Sequence, residues 1–153
     1  GLLPLLEQGC PQTLLLPSAS GQLSAEYEAY GVRYYKKTGA VKCGDFTAEL
    51  VQLSDKSYLC RLLGQRSSVL LAAGLKKKPL LEILQQQDCR AEVLILDGGQ
   101  AQDFRVLYRL FAAVQPRQIF CITGSYDGDL PEKCCGVSIQ KVGNEGASIS
   151  YMR

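Results

Sequence analysis

Short apolar blocks, separated by glycine, proline and polar turns, make up most of this chain, and they switch between strand-like and helix-like periods. Pro11 and Pro17 enclose Thr13-Leu14-Leu15-Leu16, which reads as a short buried strand. Ser18 to Gly21 is a turn able to cap a helix from Leu23 to Tyr30; Gly31 ends that helix, and Val32 to Lys37 reads as the next strand. Thr38-Gly39 and Cys43-Gly44-Asp45 mark turns. Three β-rich runs follow: Phe46 to Leu53, Tyr58 to Leu63 and Ser68 to Ala72. The separators Ser54-Asp55-Lys56 and Gly64-Gln65-Arg66 predict hairpins, so these runs should pair antiparallel. In the first run Phe46, Ala48, Leu50 and Gln52 share one face and Thr47, Glu49, Val51 and Leu53 the other, the pattern of a half-buried strand.

Pro79 fits the first turn of a helix reaching about Gln87, with Leu80, Leu81 and Leu84 as its apolar stripe. Ala91 to Leu96 is continuous aliphatic sequence, expected of a strand covered on both faces. Asp97-Gly98-Gly99 reads as a turn into a second helix from about Gln102 to Val114, where Phe104, Leu107, Tyr108, Phe111 and Val114 recur at helical spacing. Pro116 stops that helix, and Ile119 to Thr123 is another buried strand. Val137 to Val142 and Ala147 to Met152 predict a hairpin around Gly143-Asn144-Glu145-Gly146. A meander followed by two helix–strand units implies a mixed sheet with helices on one outer face. No repeat or linker divides residues 1–153, so one domain is expected; the start at Gly1 rather than Met suggests excision from a larger protein.

Composition narrows the chemistry. The chain has no histidine, which removes serine–histidine and cysteine–histidine nucleophile systems and the commonest ligand of catalytic zinc. A net charge of +2 is too small to argue nucleic-acid binding from charge alone. Local basic clusters occur at Lys36-Lys37 and Lys76-Lys77-Lys78, read here as solvated loop ends. No apolar run approaches the roughly 20 residues of a membrane-spanning helix. The seven cysteines are scattered without a C-x-x-C; Cys60 and Cys121 fall in apolar strands, and adjacent Cys134 and Cys135 are poorly placed to bridge, so reduced thiols are expected.

Several segments resemble, in order, the C-terminal half of the metallo-β-lactamase-like domain of the competence, DNA-internalisation (ComEC-like) family. Val41-Lys42-Cys43-Gly44-Asp45-Phe46-Thr47-Ala48-Glu49-Leu50 looks like that family's "lxvGdftvevL" strand. Ser68 to Gly74 is similar to "sfLLtGD", Ala91 to Gly99 to "aDvLkvgHHGS", and Ala113 to Ile122 to "avrPryaviSvG". Gly136 to Ile149, GVSIQKVGNEGASI, resembles the terminal "GarvyrTdrdGai" hairpin, and Thr13 to Ser18 with Ala25 to Thr38 resembles the preceding strand–helix–strand. The resemblance implies an α/β, metallo-β-lactamase-like half-fold, whose H-x-H-x-D-H metal motif would lie in an N-terminal half with no counterpart here.

The departures from the family pattern are informative. The "tGD" aspartate falls on Gly74, or on Leu75 if the register slips by one, and the "HHGS" histidines fall on Gly98 and Gly99 beside Asp97. A later histidine position falls within Tyr126-Asp127-Gly128, and the following helix is reduced to Asp129-Leu130-Pro131-Glu132-Lys133. A catalytic zinc needs three or more well-placed ligands, which two glycines cannot offer. The resemblance therefore implies a degenerate, non-catalytic domain without metal or other cofactor and without a small-molecule substrate. It would serve a DNA-uptake protein anchored in the cell membrane, with that protein's channel domain and DNA as partners. The alternative is a supporting half of a metal-dependent hydrolase or nuclease whose ligands lie upstream.

Other constellations are weaker. Asp97-Gly98-Gly99 could hold a phosphate at a helix start, although the glycines are adequately explained by a tight turn. Asp127, Asp129 and Glu132 read as a solvated acidic loop rather than a calcium loop. Asp97 and Asp103 are candidates for a weak metal contact. Tyr27, Tyr30, Tyr34 and Tyr35 interleave with Arg33, Lys36 and Lys37; Arg33, Tyr35, Lys36 and Lys37 are the candidate nucleic-acid contact, against the plainer reading of tyrosines half-buried at a sheet edge.

Overall fold

The computed structural model describes residues 13–15, 33–35, 39–54, 57–124 and 128–143. The expected helix from Leu23 to Tyr30, the candidate contacts Lys36 and Lys37, Tyr126-Asp127 and the second hairpin arm from Ala147 to Met152 lie outside these residues. Strand β1 (Thr13–Leu15) pairs in parallel with β2 (Arg33–Tyr35). The remaining described strands form one eight-stranded mixed sheet.

The sheet begins with a meander of β3 (Gly39–Cys43), β4 (Phe46–Ser54), β5 (Ser57–Leu63) and β6 (Ser68–Leu71), each antiparallel to the next. Gly39 thus opens a strand where a turn was expected. Cys43 faces Phe46 across a two-residue loop, and Gly44 at φ +62 supplies the left-handed backbone this loop requires. From β6 onward the chain crosses over through helices, so β7 (Val93–Asp97) and β8 (Gln118–Ile122) add in parallel. β10 (Val137–Val142) lies parallel to β8, and the two-residue β9 (Lys133–Cys134) closes the edge antiparallel to β10. The β9–β10 turn uses Cys135 at φ 47 and Gly136 at φ 86, two left-handed residues in the pattern of a type I′ hairpin.

Register places Glu49, Arg61, Leu70, Leu94, Ile119 and Ile139 in one row on one face. The aliphatic part of that row packs with Leu59, Leu96 and Cys121 against helix α1 (Lys77–Gln86), α2 (Gly98–Gln102) and α3 (Phe104–Val114). Leu70, Leu80, Leu94, Leu96, Leu107, Leu110 and Ile119 are fully buried there. The row ends in an ion pair rather than an apolar contact: Arg61 Nε donates to Glu49 Oε2 at 2.7 Å, and its guanidinium also donates to the Arg90 carbonyl at 3.2 Å. The opposite face is apolar too, with Ala48, Leu50, Val93 and Phe120 buried. The mixed sheet with its helices on an outer face is the architecture expected from the sequence.

Four helical expectations are corrected. Asp97-Gly98-Gly99 is not a loop: both glycines are already helical in α2, with Asp97 as N-cap. The helix expected from about Gln102 begins instead at Phe104: Gln102 ends α2, and Asp103 adopts an extended backbone and caps α3 by accepting from Arg105 N and Val106 N. The buried stripe of α3 is Val106, Leu107, Leu110 and Val114, while Phe104 and Tyr108 are 61% and 54% exposed. Leu107, Phe111 and Val114 of the expected stripe do pack on the core; Phe104 and Tyr108 do not. In α1 the core-facing residues are Leu80, Ile83 and Leu84, and Leu81 turns toward α3 along an outer groove.

Candidate functional site

Parallel strands put the ends of β6 and β7, and the segments that follow them, on one edge of the sheet, where α/β proteins bind ligands. After β6, Ala72 N and Ala73 N both donate to Ile95 O, at 2.8 and 3.2 Å, and the chain turns at Gly74, whose φ is +77. Gly74 N then donates to Asp97 Oδ2 at 2.7 Å. Asp97 Oδ1 accepts from Gln100 N at 2.9 Å, and Gln100 Oε1 accepts from Asp97 N at 3.1 Å, a complete capping box. Gln100 is buried, and its Nε2 donates to Ala72 O at 2.7 Å and Leu75 O at 3.2 Å. Gly74, Leu75, Asp97, Gly98 and Gly99 are therefore brought together.

Gln100, which holds them there, was not among the expected site residues. Its signal in the sequence is Asp97-x-x-Gln100, the spacing of a capping box, masked by two intervening glycines that point to a flexible turn.

The donor chemistry of this cluster does not fit a transition metal. Both Asp97 oxygens are occupied by backbone N–H groups, and the Ala72 and Leu75 carbonyls are satisfied by Gln100. The nearby Cys121 is fully buried, and burial, then the charge of Asp97, pushes its thiol up to about 11, away from the thiolate that a metal would need. Nor does a phosphate fit at the start of α2, where the Asp97 carboxylate already takes the Gln100 N–H and would repel an anion.

The other expected carboxylates are placed apart. Asp103 caps α3 and pairs with Lys77 of α1. It is not paired with Asp97. The Lys77 ammonium beside it holds its carboxyl below the ordinary 3.8, assisted by the Val106 and Arg105 N–H groups. Because the folded value is lowered, the unfolded chain binds the extra proton, so this stabilisation is complete above about 3.8 and is lost as pH falls through the folded value. The melting temperature of the wild type should therefore drop on acidification more steeply than that of Asp103→Asn, the two curves converging at low pH. Asp88 is shifted the same way by Arg90 and is common to both proteins.

Arg33 and Tyr35 lie in β2, while Asp129 and Glu132 are exposed. Cys60, Cys89, Cys121, Cys134 and Cys135 are reduced thiols, and the Cys134 and Cys135 sulfurs sit 4.0 Å apart without a covalent bond. Burial pushes Cys134 up to about 11, with the Cys135 hydrogen bond adding to it. Among these five, exposed Cys135 should be alkylated first in the native protein, with Cys89, Cys121 and Cys134 labelled only on unfolding; peptide mapping after timed labelling reads this directly.

No protein-family model matches the chain, and no curated protein matches it. Among solved structures it is similar to the E377D mutant of CmlA β-hydroxylase, with a TM-score of 0.55 over 70% of this chain at 9% identity. The match spans 30% of that protein's length. A Thermotoga maritima protein assigned to the zinc-dependent hydrolases of the metallo-β-lactamase superfamily also aligns, with 12% identity over 73% of this chain and 72% of that one, at a TM-score of 0.43. Identities this low speak to fold alone. The chain shares the mixed α/β sheet architecture of the part of CmlA β-hydroxylase that it aligns with.

Proposed function

We propose that this chain is a degenerate, non-catalytic metallo-β-lactamase-type domain of a competence protein, acting in the uptake of transforming DNA. The observation that carries the non-catalytic part is the Gly74–Asp97–Gln100 cluster: where the family resemblance calls for metal ligands stand Gly74, Gly98 and Gly99, and the Asp97 and Gln100 side chains spend their hydrogen bonds knitting two strand ends together. Such a cluster stabilises a scaffold and offers a single carboxylate, each of whose oxygens already accepts one N–H, where a catalytic metal needs three or more well-placed ligands. The order of the five motifs from Val41 to Ile149 supports the competence assignment. In this reading the domain belongs to a membrane-anchored protein, where it supports the channel domain or contacts DNA passing through it.

The decisive measurement is hydrolysis of DNA and of a chromogenic phosphodiester by the purified chain with added zinc or manganese. No turnover above the metal-only control is expected; turnover abolished by a chelator would overturn the proposal. The hydrolase-supporting alternative predicts that this chain, joined to an upstream segment bearing H-x-H-x-D-H, gains such turnover.

A further inference from the structure

We propose that the outer groove between α1 and α3 is a binding surface for single-stranded DNA. The groove, about 510 Å³, is lined by Lys77, Lys78, Leu81, Glu82, Arg105 and Arg109 among others. Four cations thus face one anion across it. Lys77 pairs with Asp103, but among the described residues no carboxylate lies within salt-bridge distance of Lys78, Arg105 or Arg109. Beside the arginine row, on the solvent side of α3, Phe104 and Tyr108 stand 61% and 54% exposed with ring centroids 6.5 Å apart.

Folding does not explain these choices. Lys77 and Lys78 open α1 and Arg105 lies in the first turn of α3, where the positive end of a helix favours anions and disfavours cations. Arg105 and Arg109 are a like-charged i,i+4 pair. Two exposed rings gain nothing from the core. Lys77 has its partner in Asp103, but among the described residues Lys78, Arg105 and Arg109 have no such partner, and with the two exposed rings they converge on one surface, which marks a place kept for a partner. Phosphates neutralise the cations, and unpaired bases offer faces for the rings; a duplex hides those faces. The basic-aromatic row is an α-helical surface, separate from Arg33 and Tyr35 of β2.

This inference names a DNA-contact surface for the function proposed above, and rests on that reading for the choice of DNA as the nucleic acid. The test is fluorescence anisotropy of the full chain with a labelled thymidine oligonucleotide of roughly 20 nucleotides across a salt series. Binding that weakens with salt is expected. Arg105→Glu with Arg109→Glu should weaken it at least about tenfold and flatten the salt slope by about 0.7 for each phosphate no longer neutralised. Phe104→Ala with Tyr108→Ala should weaken it about tenfold with the slope unchanged, because stacking releases no counterions. Arg105→Gln with Arg109→Gln repeats the charge test without introduced acids, and melting curves confirm that each variant folds.

Wild-type binding that neither pair alters would overturn the groove assignment while leaving a DNA-uptake role intact. Binding to vesicles of anionic lipid with none to the oligonucleotide would also overturn it, in favour of a membrane surface. Metal-dependent hydrolysis would overturn the non-catalytic reading and leave the groove standing.

Discussion

Gln100→Leu is expected to destabilise the domain by about 2–4 kcal/mol, with a melting temperature several degrees lower. Leucine removes the amide while branching one carbon earlier, so the loss combines the hydrogen bonds with some repacking. Gln100 is 6% exposed and serves three backbone groups at once: Ala72 O, Leu75 O and Asp97 N. Ala72 O keeps a second donor in Leu75 N at 3.2 Å, so it is not stranded. Leu75 O and Asp97 N, both part-buried, lose the Gln100 partner each now has, and a group left unsatisfied costs up to about 1–3 kcal/mol where water does not reach it. Gln100→Glu should be worse near neutral pH, since its carboxylate would face the same two carbonyls, and it should recover partly on acidification. Thermal melts of both variants against the wild type check this. A Gln100→Leu protein as stable as the wild type would mean that the hydrogen-bond set does not hold the strand ends together.

Leu94→Ala is expected to cost about 2–5 kcal/mol, a large share of the roughly 5–15 kcal/mol that a domain possesses. Leu94 has no exposed surface and sits mid-row in the sheet, flanked by Leu70 and Ile119 at the same register and covered by the helical layer. A cavity there is walled by strands on both sides, and strands bound into a ladder cannot collapse inward as loops do. Leu80→Ala, on α1 rather than the sheet, should sit lower in the same range because a helix can shift to fill part of the void. Urea denaturation should show the midpoint falling with little change in slope.

How much of the fold is legible in the sequence depends on whether local or distant contacts decide each element. The β4–β5–β6 part of the meander is legible because its separators carry their own turn chemistry, whereas β3, read as turns around Gly39 and Cys43 to Asp45, is not. The gathering of Gly74, Leu75, Asp97, Gly98 and Gly99 is legible only through the family resemblance; the β6–β7 pairing and the Asp97 and Gln100 hydrogen bonds bring it about. What the sequence hides is tertiary. Gln100 reads as an ordinary polar residue until Ala72 and Leu75 arrive above it. Phe104 and Tyr108 look like core until Val106 and Leu110 are seen to take the buried side. β9 escapes notice because Cys135, not a glycine or asparagine, adopts the left-handed backbone at its turn.

The brevity of β9 has a consequence for solubility. A sheet's last strand invites a stranger's backbone to dock along its unpaired amides and carbonyls. Among the described residues, β9 offers that invitation over only Lys133 and Cys134, one of them charged and exposed, before the tight reversal at Cys135-Gly136 bends the ribbon away. Along β9 itself an incoming chain finds too short a template to register on.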